Sequence, residues 1–340
     1  MAASLSTQIY NNHLKSGILL AGFPFLLLLM IFAFFGGLDA AAQGSLARGI
    51  DWRQAYESGI GGVLRYGQWA FAFAFGWFAI AYFFQGRMMR LATGSQPITR
   101  QQMPKIYNML ENLCISRGIP MPEFEVIDSP ALNAFATGID EKSFRIVLTR
   151  GLIETLPDDE LESVIGHELT HIMNRDARLL IIAVIFVGMI SFFAQLIFRL
   201  MIHGRRPNYY AREERGSGAL VMLIALAILA IGYLFAVAIR FALSRKREYL
   251  ADAGSVTLTK NPEAMMRALL RISGHDAVTG MPNGVQQMCI ENSRNFMGVF
   301  ATHPPVEDRI SAISRETATP VPALSVSLKR PPSGPWGQAS

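Results

Sequence analysis

The stretch His167-Glu-Leu-Thr-His171 gives the strongest indication of structure and chemistry in this sequence. Upstream of it, Thr155-Leu-Pro-Asp158 offers a hydroxyl, a proline and acidic residues, which together are typical of a helix start. Within that helix, a separation of four residues places both imidazoles on one face, so that they can bind one metal ion. Glu168 lies about 100° around the helix from His167, where it can hydrogen-bond a metal-bound water without becoming a ligand. The stretch therefore predicts a metal ion with a general base beside it.

A third ligand is expected elsewhere in the chain, because a catalytic zinc ion usually takes three protein ligands and leaves the fourth position to water. Glu248, within Ser244-Arg-Lys-Arg-Glu-Tyr-Leu-Ala-Asp252, is the candidate. Asp252 lies one turn beyond it, where a carboxylate can hydrogen-bond a zinc-bound histidine and fix its ring. The alternative for these two residues is a solvated acidic helix face. We predict one Zn²⁺ per chain, held by His167, His171 and Glu248.

Apolar residues are unusually abundant for a soluble chain of 340 residues, at 51% of the composition against 17% charged residues. They concentrate in four uncharged runs, each long enough to cross a hydrocarbon layer of roughly 30 Å as a helix. The runs are Ile18–Phe35, Gln68–Gly86, Leu179–Phe198 and Gly218–Ile239. A transporter is disfavoured, because transport pathways usually need charge inside the membrane. The sequence predicts an integral membrane protein with about four spans and the lipid bilayer as its partner.

The first run favours an uncleaved signal anchor, because it is longer than the apolar core of a usual signal peptide. A signal peptide cleaved at the small residues Ala40, Ala41 and Ala42 is the alternative. The third and fourth runs are expected to form a spanning hairpin, since one metal ion is to be bound from both of its flanks. That hairpin would export a loop with four arginines, against the usual preference for basic loops inside. A re-entrant hairpin at the membrane interface is the alternative.

The net charge of +5 does not indicate a nucleic-acid partner. Basic residues gather beside the apolar runs, at Arg87, Arg90 and 245–247, which is typical of topology signals and lipid headgroup contacts. The only cysteines, Cys114 and Cys289, are too few for a disulfide framework or a cysteine zinc site. The oligomeric state is not indicated.

Between the second and third runs, the polar sequence indicates a small mixed α/β region. Residues 104–117 show the apolar spacing of an amphipathic helix. Three short strands are predicted at 124–127, 134–137 and 145–149, each bounded by turn-forming residues.

Four stretches together resemble the HtpX-like membrane metalloproteases, which are relatives of the CAAX prenyl endopeptidases. They are Leu132-Asn-Ala-Phe-Ala-Thr-Gly138, His167-Glu-Leu-Thr-His171, Ser244-Arg-Lys-Arg-Glu-Tyr-Leu-Ala-Asp252, and Thr302-His-Pro-Pro305 followed by Arg309. The resemblance implies a zinc endopeptidase whose zinc ligands are His167, His171 and Glu248. It implies that Glu168 is the catalytic base and that Asp252 hydrogen-bonds one of the histidine ligands. It also implies membrane or misfolded protein substrates, a role in protein quality control, and a bacterial inner membrane location with the site facing the cytoplasm.

The predicted fold is therefore an α-helical integral membrane protein with an α+β zincin-type catalytic domain. The predicted organisation has five parts. They are two transmembrane helices in 1–90, the first part of the catalytic domain in 91–178, the transmembrane hairpin in 179–243, the second catalytic part in 244–316, and a disordered proline-rich tail in 317–340.

Two further site hypotheses concern the reacting peptide. His303 is the candidate donor to the tetrahedral oxyanion, with a structural cap before Pro304 as the alternative and Arg309 as a weaker candidate. Asn133, Ala134 and Phe135 are expected on an edge strand that pairs with an extended substrate, unless the segment is an ordinary strand of the sheet.

One rival function belongs to a different class. The chain would then be a proteolytically inactive membrane scaffold or chaperone with a structural metal. The complete set of predicted ligands, together with Glu168, argues against it.

Overall fold

The computed structural model describes residues 5–43, 50–182, 185, 246–273 and 304–322. Apart from residues 179–182 and 185, the third and fourth predicted spans lie outside these ranges. So do the arginine-rich loop, Cys289, His303 and the tail beyond residue 322.

The helices and strands of the described residues are as follows. The helices are α1 Leu5–Ala42, α2 Trp52–Thr93, α3 Pro104–Arg117, α4 Arg150–Thr155, α5 Asp158–Met173, α6 Lys246–Thr259, α7 Pro262–Ile272 and α8 Val306–Thr317, and residues 176–182 are also helical. The strands are β1 Gln96–Pro97, β2 Glu123–Ile127, β3 Ala134–Thr137 and β4 Arg145–Thr149.

The chain divides into two compact units. The first unit comprises Met1–His13, Gln85–Ile181 and Leu243–Ser340, and the second comprises Leu14–Phe84 and Ile182–Ala242. The first unit therefore contains the sheet and all of the candidate metal ligands.

Two helices of the described residues are long and apolar enough to cross a membrane, where the sequence predicted about four. They are a 25-residue part of α1, Ser16–Ala40, with a mean hydropathy of 2.7, and α2, with a mean hydropathy of 1.3 over its most apolar window. Large apolar side chains such as Phe25 and Phe75 point outwards, with 66% and 78% of their surfaces exposed. Water disfavours such surfaces, whereas lipid accepts them.

Within the second unit, α1 and α2 approach each other closely at glycines. A Cβ atom at Gly59 would lie 2.7 Å from the ring of Phe32, and one at Gly62 would lie 2.3 Å from the ring of Phe35. Phe35 also stacks on Tyr66 with 5.1 Å between the ring centroids. Small residues that admit aromatic rings are a common way to pack membrane helices.

The first unit is built around a four-stranded mixed sheet with the order β1-β2-β4-β3. Strands β2 and β4 pair in parallel, and β1 and β3 pair antiparallel to their neighbours. The three predicted strands are confirmed to within one residue. The two-residue β1 was not predicted, because a strand of that length carries no alternation of apolar and polar residues.

Helices α3 and α5 cover this sheet with one hydrophobic core. The predicted helix over 104–117 is confirmed as α3, and it ends at Gly118, whose φ of 64° suits the left-handed conformation of a helix terminus. The core joins apolar side chains of α3, α5, β2 and β4, among them Leu110, Leu113, Phe124, Ile146, Leu148, Val164 and Leu169. Because α5 lies directly on this core, the two candidate histidine ligands are carried by a rigid element.

A small-residue contact brings α5 and α6 together. A Cβ atom at Gly254 of α6 would lie 2.3 Å from Cγ2 of Thr170, so only glycine admits this approach. Nearby, the Ser255 hydroxyl donates to the Ser163 carbonyl at 2.5 Å. The two helices that carry the candidate ligands are thus in direct contact.

Candidate metal centre

Helix α5 begins at Asp158, as the sequence predicted, and places three acidic residues in its positive first turn. Pro157 occupies the N-cap position, and no side chain, including the expected Thr155 hydroxyl, caps the helix. One helical turn separates His167 from His171, and their Nε2 atoms lie 3.1 Å apart. Both rings therefore direct the same nitrogen towards one point.

Glu248 of α6 completes the cluster. Its Oε2 lies 3.7 Å from Nε2 of His167, and its Oε1 lies 3.8 Å from Nε2 of His171. Ligands at about 2.1 Å from a tetrahedral zinc ion lie about 3.4 Å from one another. The spacing of these three donor atoms and their chemical types, two imidazole nitrogens and one carboxylate oxygen, therefore fit a single divalent ion.

Each imidazole is also held from behind by a carboxylate. Nδ1 of His167 lies 2.9 Å from Oδ1 of Asp252, and Nδ1 of His171 lies 3.0 Å from Oδ2 of Asp176. A carboxylate that accepts the Nδ1 proton leaves Nε2 unprotonated, which is the tautomer that a metal ion requires.

Asp176 was not predicted from the sequence. It lies five residues after His171 and beyond Arg175, whose φ of 62° marks a change of chain direction. Helical spacing therefore does not place Asp176 beside His171. The only signal in the sequence was an acidic residue shortly after the second histidine.

Negative charge exceeds positive charge around His167. Burial lowers the pKa of this imidazole, but the neighbouring carboxylates of Asp252 and Glu248 outweigh the burial and raise the pKa to about 9. A cation in this position is thus electrostatically favoured, and a divalent metal ion satisfies that demand as a proton does.

The other predicted site residues lie on several different elements. Glu168 is buried on α5, directly after His167. Asn133 precedes the edge strand β3, which begins at Ala134, and its Oδ1 accepts the Ala134 N–H at 2.8 Å. His303 lies outside the described residues. Arg309, the weaker oxyanion candidate, donates two hydrogen bonds to the carboxylate of Asp252. It therefore contacts the carboxylate that lies behind His167.

The model of peptidase family M48 matches residues 100–317, which include strands β2 to β4, both candidate histidines, Glu248 and Arg309. The chain belongs to peptidase family M48. The resemblance to HtpX-like proteases is thereby confirmed, and the protein is a metalloprotease, a metal-dependent hydrolase.

Relatives in two organisms carry the name "Protease HtpX homolog". The one from Bacteroides fragilis is 40% identical over 329 residues, covering 92% of this chain and 98% of the relative. The one from Tropheryma whipplei is 36% identical over 241 residues, covering 70% of this chain and 81% of the relative. A solved structure of S. mikatae Ste24p is 22% identical with a TM-score of 0.46, covering 74% of this chain and 60% of that one.

Proposed function

We propose that this M48 peptidase is a membrane-anchored zinc endopeptidase. His167, His171 and Glu248 hold the ion, and Glu168 is the general base. The observation that supports the proposal is the convergence of three donor atoms from α5 and α6, all within 4.8 Å of one another. By the same proposal, the catalytic domain consists of residues 91–178 and 244–316, and each part supplies ligands.

The chain's own residues account for the proton transfers of peptide hydrolysis. A zinc ion, when bound, lowers the pKa of a water ligand and polarises the scissile carbonyl. Glu168 accepts the proton of the attacking water and passes it to the leaving amine. His303 is proposed as the donor that stabilises the developing oxyanion.

The edge strand β3 is proposed to align the substrate. Strand β3 lies at one end of the sheet order, where an extended peptide can add by main-chain hydrogen bonds. Asn133 fixes the start of this strand, because its main chain pairs with Thr149 and its Oδ1 accepts the Ala134 N–H. Main-chain pairing demands little of the substrate's side chains, which suits a protease of broad specificity.

Asn133→Ala is expected to raise the KM for an unstructured protein substrate about 2- to 10-fold, because one hydrogen bond that orders the strand is lost. Steady-state kinetics with labelled casein measure this change, and the zinc content is expected to stay at the wild-type level. Asn108→Ala, on the exposed part of α3, is the control. Equal KM values for Asn133→Ala and the wild type would indicate that β3 is an ordinary strand of the sheet and does not pair with the substrate.

The bilayer is proposed as the first partner of the protein, and membrane or misfolded proteins as its substrates. The apolar surfaces of α1 and α2 support the anchoring. By the same proposal the protein acts in quality control at the bacterial inner membrane, with the metal centre on the cytoplasmic side.

Metal removal tests the proposed function directly. The full-length protein, purified in detergent, is expected to contain one zinc ion per chain and to cleave casein. A chelator should abolish the cleavage, and added zinc should restore it. The same assay in lipid vesicles is expected to favour a membrane-inserted substrate over soluble casein. Full zinc occupancy without cleavage of either substrate would instead favour a scaffold or chaperone with a structural metal.

A further inference from the structure

Arg309 of α8 is completely buried and forms a two-pronged contact with a buried carboxylate. Its Nε donates to Oδ2 of Asp252 at 2.9 Å, and its Nη2 donates to Oδ1 of the same residue at 2.6 Å. Two parallel charge-assisted hydrogen bonds fix both the position and the rotation of the carboxylate.

The same carboxylate also contacts the candidate metal centre. Oδ1 of Asp252, which Arg309 holds, lies 2.9 Å from Nδ1 of His167. The opposite ring nitrogen of His167 faces His171 and Glu248. Three side chains from α8, α6 and α5 thus form one continuous path that ends at the proposed ligand atom.

We propose that Arg309 is a positioning residue for the metal centre: it fixes the Asp252 carboxylate so that His167 presents Nε2 to the metal in one orientation. This inference rests on the proposed function, since it assigns His167 as a ligand. It differs from the role expected from the sequence, in which Arg309 was a weaker candidate for direct contact with the oxyanion.

Electrostatics explains why the path needs an arginine. The Asp252 carboxylate is buried, and the Arg309 guanidinium supplies both a compensating positive charge and two hydrogen-bond donors. Without these two donors the carboxylate would turn towards another donor. Nδ1 of His167 would then lose a fixed acceptor. A lysine supplies the charge but not the planar fork, so it can replace Arg309 only in part.

The position of Arg309 is itself rigidly supported. Val306, Arg309, Ile310 and Ile313 follow the helical spacing of one face and are all buried. The three apolar residues of this face pack against Met265, Met266 and Leu269 of α7. The guanidinium therefore has a fixed origin, as a residue that orients a ligand requires.

The chain offers a matched control in a second arginine–carboxylate pair. Arg271 of α7 contacts the buried Glu160 of α5 at 2.7 Å. This pair also joins α5 to a neighbouring helix, but it lies at the other end of α5, two turns from His167. Its removal takes away an ion pair between two helices, while Glu160 keeps Arg267 as a partner, and it does not touch the path to the ligand.

The experiment compares Arg309→Met, Arg309→Lys and Arg271→Met in the full-length protein in detergent. Zinc affinity is measured by competition with a chromophoric chelator, metal geometry by the visible absorption of the Co²⁺-substituted protein, and catalysis by kcat and KM. Arg309→Met is expected to bind zinc about 10- to 100-fold more weakly, as outer-shell substitutions do. It should also shift the Co²⁺ spectrum and lower kcat more than it raises KM. Arg309→Lys should lie between Arg309→Met and the wild type, and Arg271→Met should change only the melting temperature.

Two results would overturn the proposal. One is a wild-type zinc affinity and Co²⁺ spectrum in either folded Arg309 variant, and the lysine variant serves if the methionine variant does not fold. The other is an equal loss of zinc affinity in Arg271→Met, which would make the effect one of general stability. This test can fail independently of the proposed function. If the wild-type protein bound zinc but did not cleave casein, the proposed protease activity would be contradicted. The zinc affinities of the wild type and the Arg309 variants could still be compared.

Discussion

Glu168→Gln is expected to lower the kcat for casein cleavage by about 10²- to 10⁴-fold while the zinc stays bound. The amide has nearly the shape of the carboxylate, but it cannot accept a proton from the attacking water. Because Glu168 is not one of the three converging ligand residues, its substitution leaves the metal donors in place. Steady-state kinetics and elemental analysis of the same preparation measure both quantities.

The control for this variant is Glu162→Gln, a partly exposed glutamate earlier on α5. It is expected to keep wild-type kcat, because it lies more than a turn away from the imidazoles. Cleavage by Glu168→Gln at the wild-type rate would remove Glu168 from the mechanism. Loss of zinc together with activity would show that the glutamate supports the site and not only the proton transfer.

Glu248→Gln should remove the metal itself. A neutral amide is a much weaker zinc ligand than a carboxylate, and the substitution leaves two imidazoles on α5 as the only proposed protein ligands. Even residues behind the ligands change metal affinity 10- to 100-fold, so the loss of a ligand is expected to exceed about 100-fold. Activity at limiting zinc should fall in parallel, as measured by chelator competition and by cleavage over a zinc titration.

The variant to compare with it is Glu160→Gln. Glu160 is also buried, and its partners are Arg267 and Arg271 of α7. Its substitution is expected to lower the melting temperature, because Arg271 loses a charged acceptor and Arg267 keeps only Asp159 and Glu263. Zinc affinity is expected to stay unchanged. Tight zinc binding by Glu248→Gln, or equally weak binding by both variants, would contradict the assignment of Glu248 as a ligand.

Local features of the site were predictable from the sequence because they depend on spacing along one helix. The separation of His167 and His171 implies a shared face whatever the rest of the fold does. Glu248 was predicted because a catalytic zinc ion usually takes three protein ligands. The structure places its carboxylate beside both imidazoles. The strands were found because each is short, apolar and bounded by turn residues.

Features that depend on contacts through space were not predictable. Asp176 reaches His171 only because the chain turns at Arg175. Arg309 meets Asp252 across 57 residues of sequence, and nothing local to either residue indicates the partner. The sheet order, in which β4 lies between β2 and β3, likewise depends on the parallel pairing of β2 with β4, which no local strand pattern indicates.

The wide separation of the metal-centre residues along the chain has a consequence for biosynthesis. A ribosome releases the histidines of α5 well before Glu248, and it releases Arg309 last of all. A nascent chain that already carries both histidines still lacks the carboxylate that is proposed to complete the metal site and the arginine that is proposed to orient it. On this assignment, translation products that stop before Arg309 are expected to be proteolytically inactive, although they contain both histidines.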